Sequence, residues 1–247
     1  MRPNEIYMKS LAINALEDIA SEKSPPVLIE LAKNVIANYE REEIGPYIEI
    51  IRDALGAAVQ IDPYYSVPEL MSLLKTNKTD DNSGKSAIIR QTIVEAAGGT
   101  FSPVATPVIV EGLKDPHFYV LASAAAVARN FQSEELTEQL IKIASDKHEF
   151  SQVKRDAIRA LGNVHTAEVF SCLVENLRES PSSAVRAAAA EALGRAGFQE
   201  AVPYLKRSAK KDSEASVRTS ALQSLKELGH VSRLDLWLER LKSLLSW

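Results

Sequence analysis

A single cysteine, Cys172, rules out an internal disulfide and any metal site built from several thiolates. It falls in the apolar run Val169-Phe170-Ser171-Cys172-Leu173, where a buried, unreactive thiol is expected. Long apolar runs are missing too. None reaches the roughly 18 residues of a membrane span, and Met1-Arg2-Pro3-Asn4-Glu5 lacks the apolar core of a signal peptide. The expectation is a cytoplasmic protein with no membrane partner. An excess of basic residues is also lacking: the net charge is −4, distributed as −6 over residues 1–123 and +2 over residues 124–247. Nucleic-acid affinity comes mainly from neutralising phosphates, so this balance argues against that class of partner. Aromatic residues make up only 6% of the chain, which also disfavours a base-stacking groove.

What the chain does have is repetition. Val185-Arg186-Ala187-Ala188-Ala189 leads to Leu193, Ala196 and Gly197; thirty-two residues on, Val217-Arg218-Thr219-Ser220-Ala221 leads to Leu225, Leu228 and Gly229. Apolar residues at i, i+4, i+8 and i+11 make one stripe along a helix. A fixed period of this length marks a stack of helical units. Further back, Ile88, Val120 and Val153 take the same place, at spacings of 32, 33, 32 and 32 through to Val217. Thr92, Ala124, Ala157, Ala189 and Ala221 follow four residues later, then Ala96, Ala128, Leu161, Leu193 and Leu225. The small side chains suit helices that stack at about 8–10 Å. A second helix in each pair starts at Ser102-Pro103, Ser133-Glu134-Glu135, Thr166 or near Gln199. The pattern predicts an all-α, right-handed α-solenoid of about seven helix pairs forming one domain, 1–247.

The N-terminal third, 1–76, is the divergent part. A helix over Ile6–Ala20 pairs with one starting at Ser24-Pro25-Pro26; another opens at Gly45-Pro46, ends at Asp62-Pro63, and restarts at Ser66 with capping-box spacing to Glu69. Residues 77–85 read as an exposed polar loop, 86–230 as the regular repeats, and 231–247 as a leucine-rich helix capping the stack. Gly84-Lys85-Ser86 lacks the upstream glycine and the strand of a phosphate-binding loop.

Chemistry is sparse. His117, His148, His165 and His230 fall in four different repeats, with no i, i+4 pair to place two ligands on one helix face. No Gly-x-Ser-x-Gly elbow occurs. Glu42-Glu43 and Glu134-Glu135 read as helix-start charges opposing the macrodipole, and Gly98-Gly99 as a helix C-terminus. No catalytic residue, cofactor site or metal site is predicted.

The pattern Val-Arg-x-x-Ala-x-x-x-Leu-Gly, best met at Val185-Arg186-Ala189-Leu193-Gly194 and next at Val153-Lys154-Ala157-Leu161-Gly162, resembles HEAT repeats, in particular the HEAT-like type of phycobilisome lyases. The resemblance covers roughly residues 85–230. It implies a ladder of turn aspartates and helix arginines, with Asp212 set against Arg218 and Asp146 against Lys154. Asp115 meets Leu121 and lacks its rung, and Glu179 stands seven residues before Arg186. The related deoxyhypusine hydroxylases bind iron through several His-Glu dipeptides, of which this chain has only His148-Glu149.

The resemblance also implies that the second helices line a concave binding face. The function expected is a non-catalytic scaffold or adaptor holding a protein partner there, through Glu138, Lys142, Glu175, Arg178, Lys206, Arg207, Lys210 and Lys211, with Glu111 and Lys114 continuing the row. Lys206, Arg207, Lys210 and Lys211 form the densest positive feature and suit an acidic partner segment. Phe118-Tyr119 and Tyr64-Tyr65 read either as aromatic anchors or as packing at repeat junctions. The alternative function, implied by the repeat type alone, is a phycobilin lyase or lyase-like subunit handling a linear tetrapyrrole on a chromoprotein.

Overall fold

The computed structural model describes residues 12–14, 21, 23–38, 45–77, 84–146 and 150–230. Every regular element among them is helical, and the fold is an all-α, solenoid-type stack of repeated helices. Twelve α-helices are described: α1 Ser24–Asn38, α2 Ile48–Ile61, α3 Pro63–Thr76, α4 Lys85–Gly99, α5 Thr106–Gly112, α6 Phe118–Ala128, α7 Glu134–Ser145, α8 Ser151–Leu161, α9 Ala167–Glu179, α10 Ser183–Arg195, α11 Val202–Lys211 and α12 Ala215–Glu227. They form two compact units, Met1–Leu136 and Thr137–Trp247. The expected helix over Ile6–Ala20, apart from residues 12–14, lies outside the described residues. So do most of the loop at 77–85 and the capping helix at 231–247.

In the first unit α1, α2, α4 and α6 pack in series, with α3 and α5 forming a second layer beside them. Helix α1 therefore belongs to the first layer, although the Ser24-Pro25-Pro26 signal had suggested the second helix of a pair. The restart expected at Ser66 is not a helix start. Asp62 caps α3 by accepting from the Tyr65 amide at 3.0 Å. Ser66, one turn later, is buried and donates to the Ala58 carbonyl at 2.8 Å. The cap thus falls where proline can follow it directly in the first turn, at Pro63.

In the second unit the closely packed series is α8, α10 and α12, while α9 and α11 touch each other less. Helix α9 packs on α10, and α11 on α12. The natural hairpin is thus a second-layer helix with the first-layer helix that follows it across the aspartate turn. Val153, Val185 and Val217 are fully or almost fully buried, as are Ala157, Ala189 and Ala221 and the leucines that follow. The spacing that located these repeats is the spacing of their cores.

One register was off by a residue. Ile88 is only half-buried, whereas Ile89, Ile93 and Ala97 are essentially buried and continue the stripe of Val120, Ala124 and Ala128. This aligns Gly98 with Gly162 and Gly194, nine residues after each stripe begins. A Cβ on Gly98 would meet the Val127 side chain at 2.7 Å, one on Gly162 the Ala192 Cα at 3.1 Å, and one on Gly194 the Ser224 Cβ at 2.5 Å. In each case the obstacle is the same position of the next first-layer helix. The glycine lets the backbones approach, and Ser224 uses that approach to donate to the Ala190 carbonyl at 2.8 Å.

Candidate functional site

Arginines early in the first-layer helices tie successive repeats together. In the first unit Arg90 Nε and Nη2 donate to the two carboxylate oxygens of Asp115 at 2.7 and 3.1 Å, while Nη1 donates to the Asn77 carbonyl at 2.7 Å. Both side chains are buried, at 6% and 2% exposure. In the second unit Arg186 repeats the arrangement, with Nε and Nη2 each 2.9 Å from Asp212 and Nη1 at 3.0 Å from the Ser180 carbonyl. The Arg186 fork holds the Asp212 carboxyl below its ordinary range, and the Glu214 amide donates to the same group.

This ladder departs from the one the resemblance implied. Asp212 is clasped by Arg186 of the preceding repeat rather than by Arg218, and Asp115, expected to lack a rung, has Arg90. Arg218 instead donates through Nη1 to the Asp212 and Ser213 carbonyls, at 2.8 and 2.9 Å. An extended guanidinium can bridge backwards to its own turn and forwards to the next one, so an aspartate only six residues away is not its carboxylate partner.

The eight expected contact residues all belong to the second unit, on α7, α9 and α11, and all are exposed. None of their side chains makes a hydrogen bond or ion pair with another described residue. They lie on the second-layer helices. Within this unit the first-layer helices α8, α10 and α12 pack more closely on one another than the second-layer helices α9 and α11 do. Helix α11 carries Lys206, Arg207, Lys210 and Lys211, with its last two cations next to the carbonyls that hold Arg218. Of the two further residues in the row, Lys114 pairs with Glu135 at 2.8 Å and Glu111 is half-buried.

The first-layer face holds a hollow that the sequence reading did not identify. It measures about 830 Å³ and opens between α10 and α12, lined among others by Glu191, Arg195, Gln199, Ser220, Gln223 and Glu227. Its polar groups are largely engaged. Ser220 donates to Glu191 at 2.9 Å, Arg195 to the Arg159 carbonyl at 3.2 Å, and Gln223 to Glu227 at 3.1 Å. Ser123 and Glu95 make the same serine-to-glutamate bond in the first unit, at 3.0 Å. The signal was a glutamate six residues into one stripe and a serine three residues into the next.

Two of the four histidines, His165 and His230, link repeats; His117 Nδ1 is buried without a hydrogen-bond partner, and His148 lies outside the described residues. His165 Nδ1 is 2.8 Å from the Ala196 carbonyl and its ring stacks on Phe198 at 4.3 Å; His230 Nε2 is 3.1 Å from Gln199. Among the described residues no three His, Cys, Asp or Glu side chains converge in a way that could hold a metal ion. Cys172 is buried beside Ser145 and Asn176, and burial pushes its thiol up. Among the described residues no helix is long and apolar enough to cross a membrane. Tyr64, Tyr65 and Tyr119 are exposed rather than packed in the core. Phe101 and Phe150, which the sequence reading passed over, are exposed as well.

Residues 137–226 match the family model for HEAT repeats. No curated protein is found to match the chain. Among solved structures, an engineered protein is similar at 19% identity with a TM-score of 0.48, covering 88% of this chain and 96% of its own. Human deoxyhypusine hydroxylase in complex with glycerol is similar at 15% identity with a TM-score of 0.39, covering 93% of this chain and all of its own.

Proposed function

We propose, for a chain whose residues 137–226 match the HEAT-repeat family model, that the protein is a non-catalytic adaptor that holds an acidic segment of a protein partner. The observation that carries this reading is helix α11: four exposed cations in six residues, without an ion pair to any described residue. Elsewhere on the surface, cations such as Lys33 and Lys114 already pair with carboxylates, at 2.7 and 2.8 Å. Unpaired, solvated cations attract an acidic partner over roughly a Debye length and speed its encounter. Glu138, Lys142, Glu175 and Arg178 extend the same layer with mixed charge, which suits orientation more than affinity.

The test is affinity capture from a lysate of the source organism at low and moderate salt, using the wild-type chain and the quadruple variant Lys206→Glu, Arg207→Glu, Lys210→Glu, Lys211→Glu. An acidic protein held by the wild type, released as salt rises and absent from the variant is the expected result. Equal recovery on both baits would remove α11 from the contact.

A further inference from the structure

We infer that Arg218 is a carboxylate receptor, and that an Asp or Glu side chain of the partner docks in its guanidinium fork as the next rung of the ladder. This inference rests on the adaptor reading above and gives it an atomic contact. Three arginines occupy equivalent places, and all three anchor Nη1 on the carbonyls of the turn before their own helix. In Arg90 and Arg186 that anchoring aims Nε and Nη2 at a carboxylate 25 or 26 residues further along the chain. For Arg218 those positions are Ser243 and Leu244, neither of which carries a carboxylate.

Arg218 is half-buried, and its Nε and Nη2 make no hydrogen bond with any described residue. The exposed Glu214 carboxylate in the same turn forms no ion pair with Arg218. The fork is therefore held in place by two carbonyls before any ligand arrives, which lowers the ordering cost of binding. Planar bidentate recognition favours a carboxylate, since that is what the same fork binds twice within this chain. The α11 cations lead directly into the turn that anchors Arg218, so one acidic segment can meet both.

The experiment is fluorescence anisotropy of a labelled Asp-Gly repeat peptide against the full chain, with an Asn-Gly repeat peptide as control. The variants are Arg218→Lys, which keeps the charge but loses the fork, and the double charge reversal Lys206→Glu, Lys210→Glu. The wild type is expected to bind the Asp peptide, and Arg218→Lys to weaken it about tenfold while remaining folded at the assay temperature. The Asn peptide is expected to bind weakly to the wild type and no more weakly to Arg218→Lys. Full affinity in Arg218→Lys alongside loss in the double reversal would overturn the receptor and leave the adaptor reading standing. Indifference to both changes, or no binding by the wild type, would overturn both. Tighter binding of an oligothymidylate than of the Asp peptide would assign the fork to phosphate and also overturn the proposal.

Discussion

At the scale of single residues, burial separates the two clasps. Asp115 is 2% exposed and Asp212 is 10%. Removing one partner of a buried pair strands the other charge, at a cost of about 3–5 kcal/mol. Asp115→Ala should therefore destabilise the chain by that order in urea unfolding, and Asp212→Ala by less; the reverse ranking would show that burial does not set the strength of these rungs. Cys172 should react slowly with a thiol reagent under native conditions, because it is covered and its thiolate is disfavoured. Reaction as fast as that of an unfolded control would contradict the buried placement. The sequence could not have shown the pairing of these arginines. Asp212 lies six residues from Arg218 and 26 from Arg186, and only the packing of one hairpin on the next decides between them.

Among the helices, neighbouring glycines make a clean comparison. A Cβ on Gly98 runs into the branched side chain of Val127, whereas one on Gly99 meets nothing within 4 Å. Gly98→Ala should cost about 1–3 kcal/mol through overpacking between α4 and α6, while Gly99→Ala should be neutral or slightly stabilising. Equal effects in thermal melts would mean that α4 and α6 are not closely apposed at this point. These helices were readable as helices because their apolar stripes repeat every turn. The one-residue error at Ile88 arose because Ile88 and Ile89 are both apolar, and a hydrophobic pattern cannot choose between adjacent candidates. The aligned glycine could have settled it, since Gly98, Gly162 and Gly194 agree only when the stripe begins at Ile89. The start of α3 was misread because Ser66 and Glu69 carry the spacing of a cap, whereas the capping bond is made by Asp62.

For the molecule as a whole, the ladder predicts a response to acid. The Asp212 carboxyl is held below its ordinary range, so the unfolded chain takes up that proton more readily than the folded one. Its contribution is complete above the ordinary carboxylate range and disappears as pH falls through that range toward the lowered value. Arg186→Met should flatten this part of the stability-versus-pH curve, since it removes the first cause of the shift; an unaltered curve would assign the acid sensitivity to other groups. The repeated stack was legible across the second unit because each hairpin buries the same positions. The binding face was less so, since a row of exposed charges in sequence does not reveal which layer it joins, and the donors left over by the ladder emerge only once each rung is traced.

The most direct check is hydrogen exchange of the full chain with and without the Asp-Gly repeat peptide. The account predicts slowed exchange confined to residues 202–218, the helix α11 and the turn leading to Arg218. Protection centred instead on the α10–α12 hollow around Glu191 and Gln223, or no protection at saturating peptide, would contradict it.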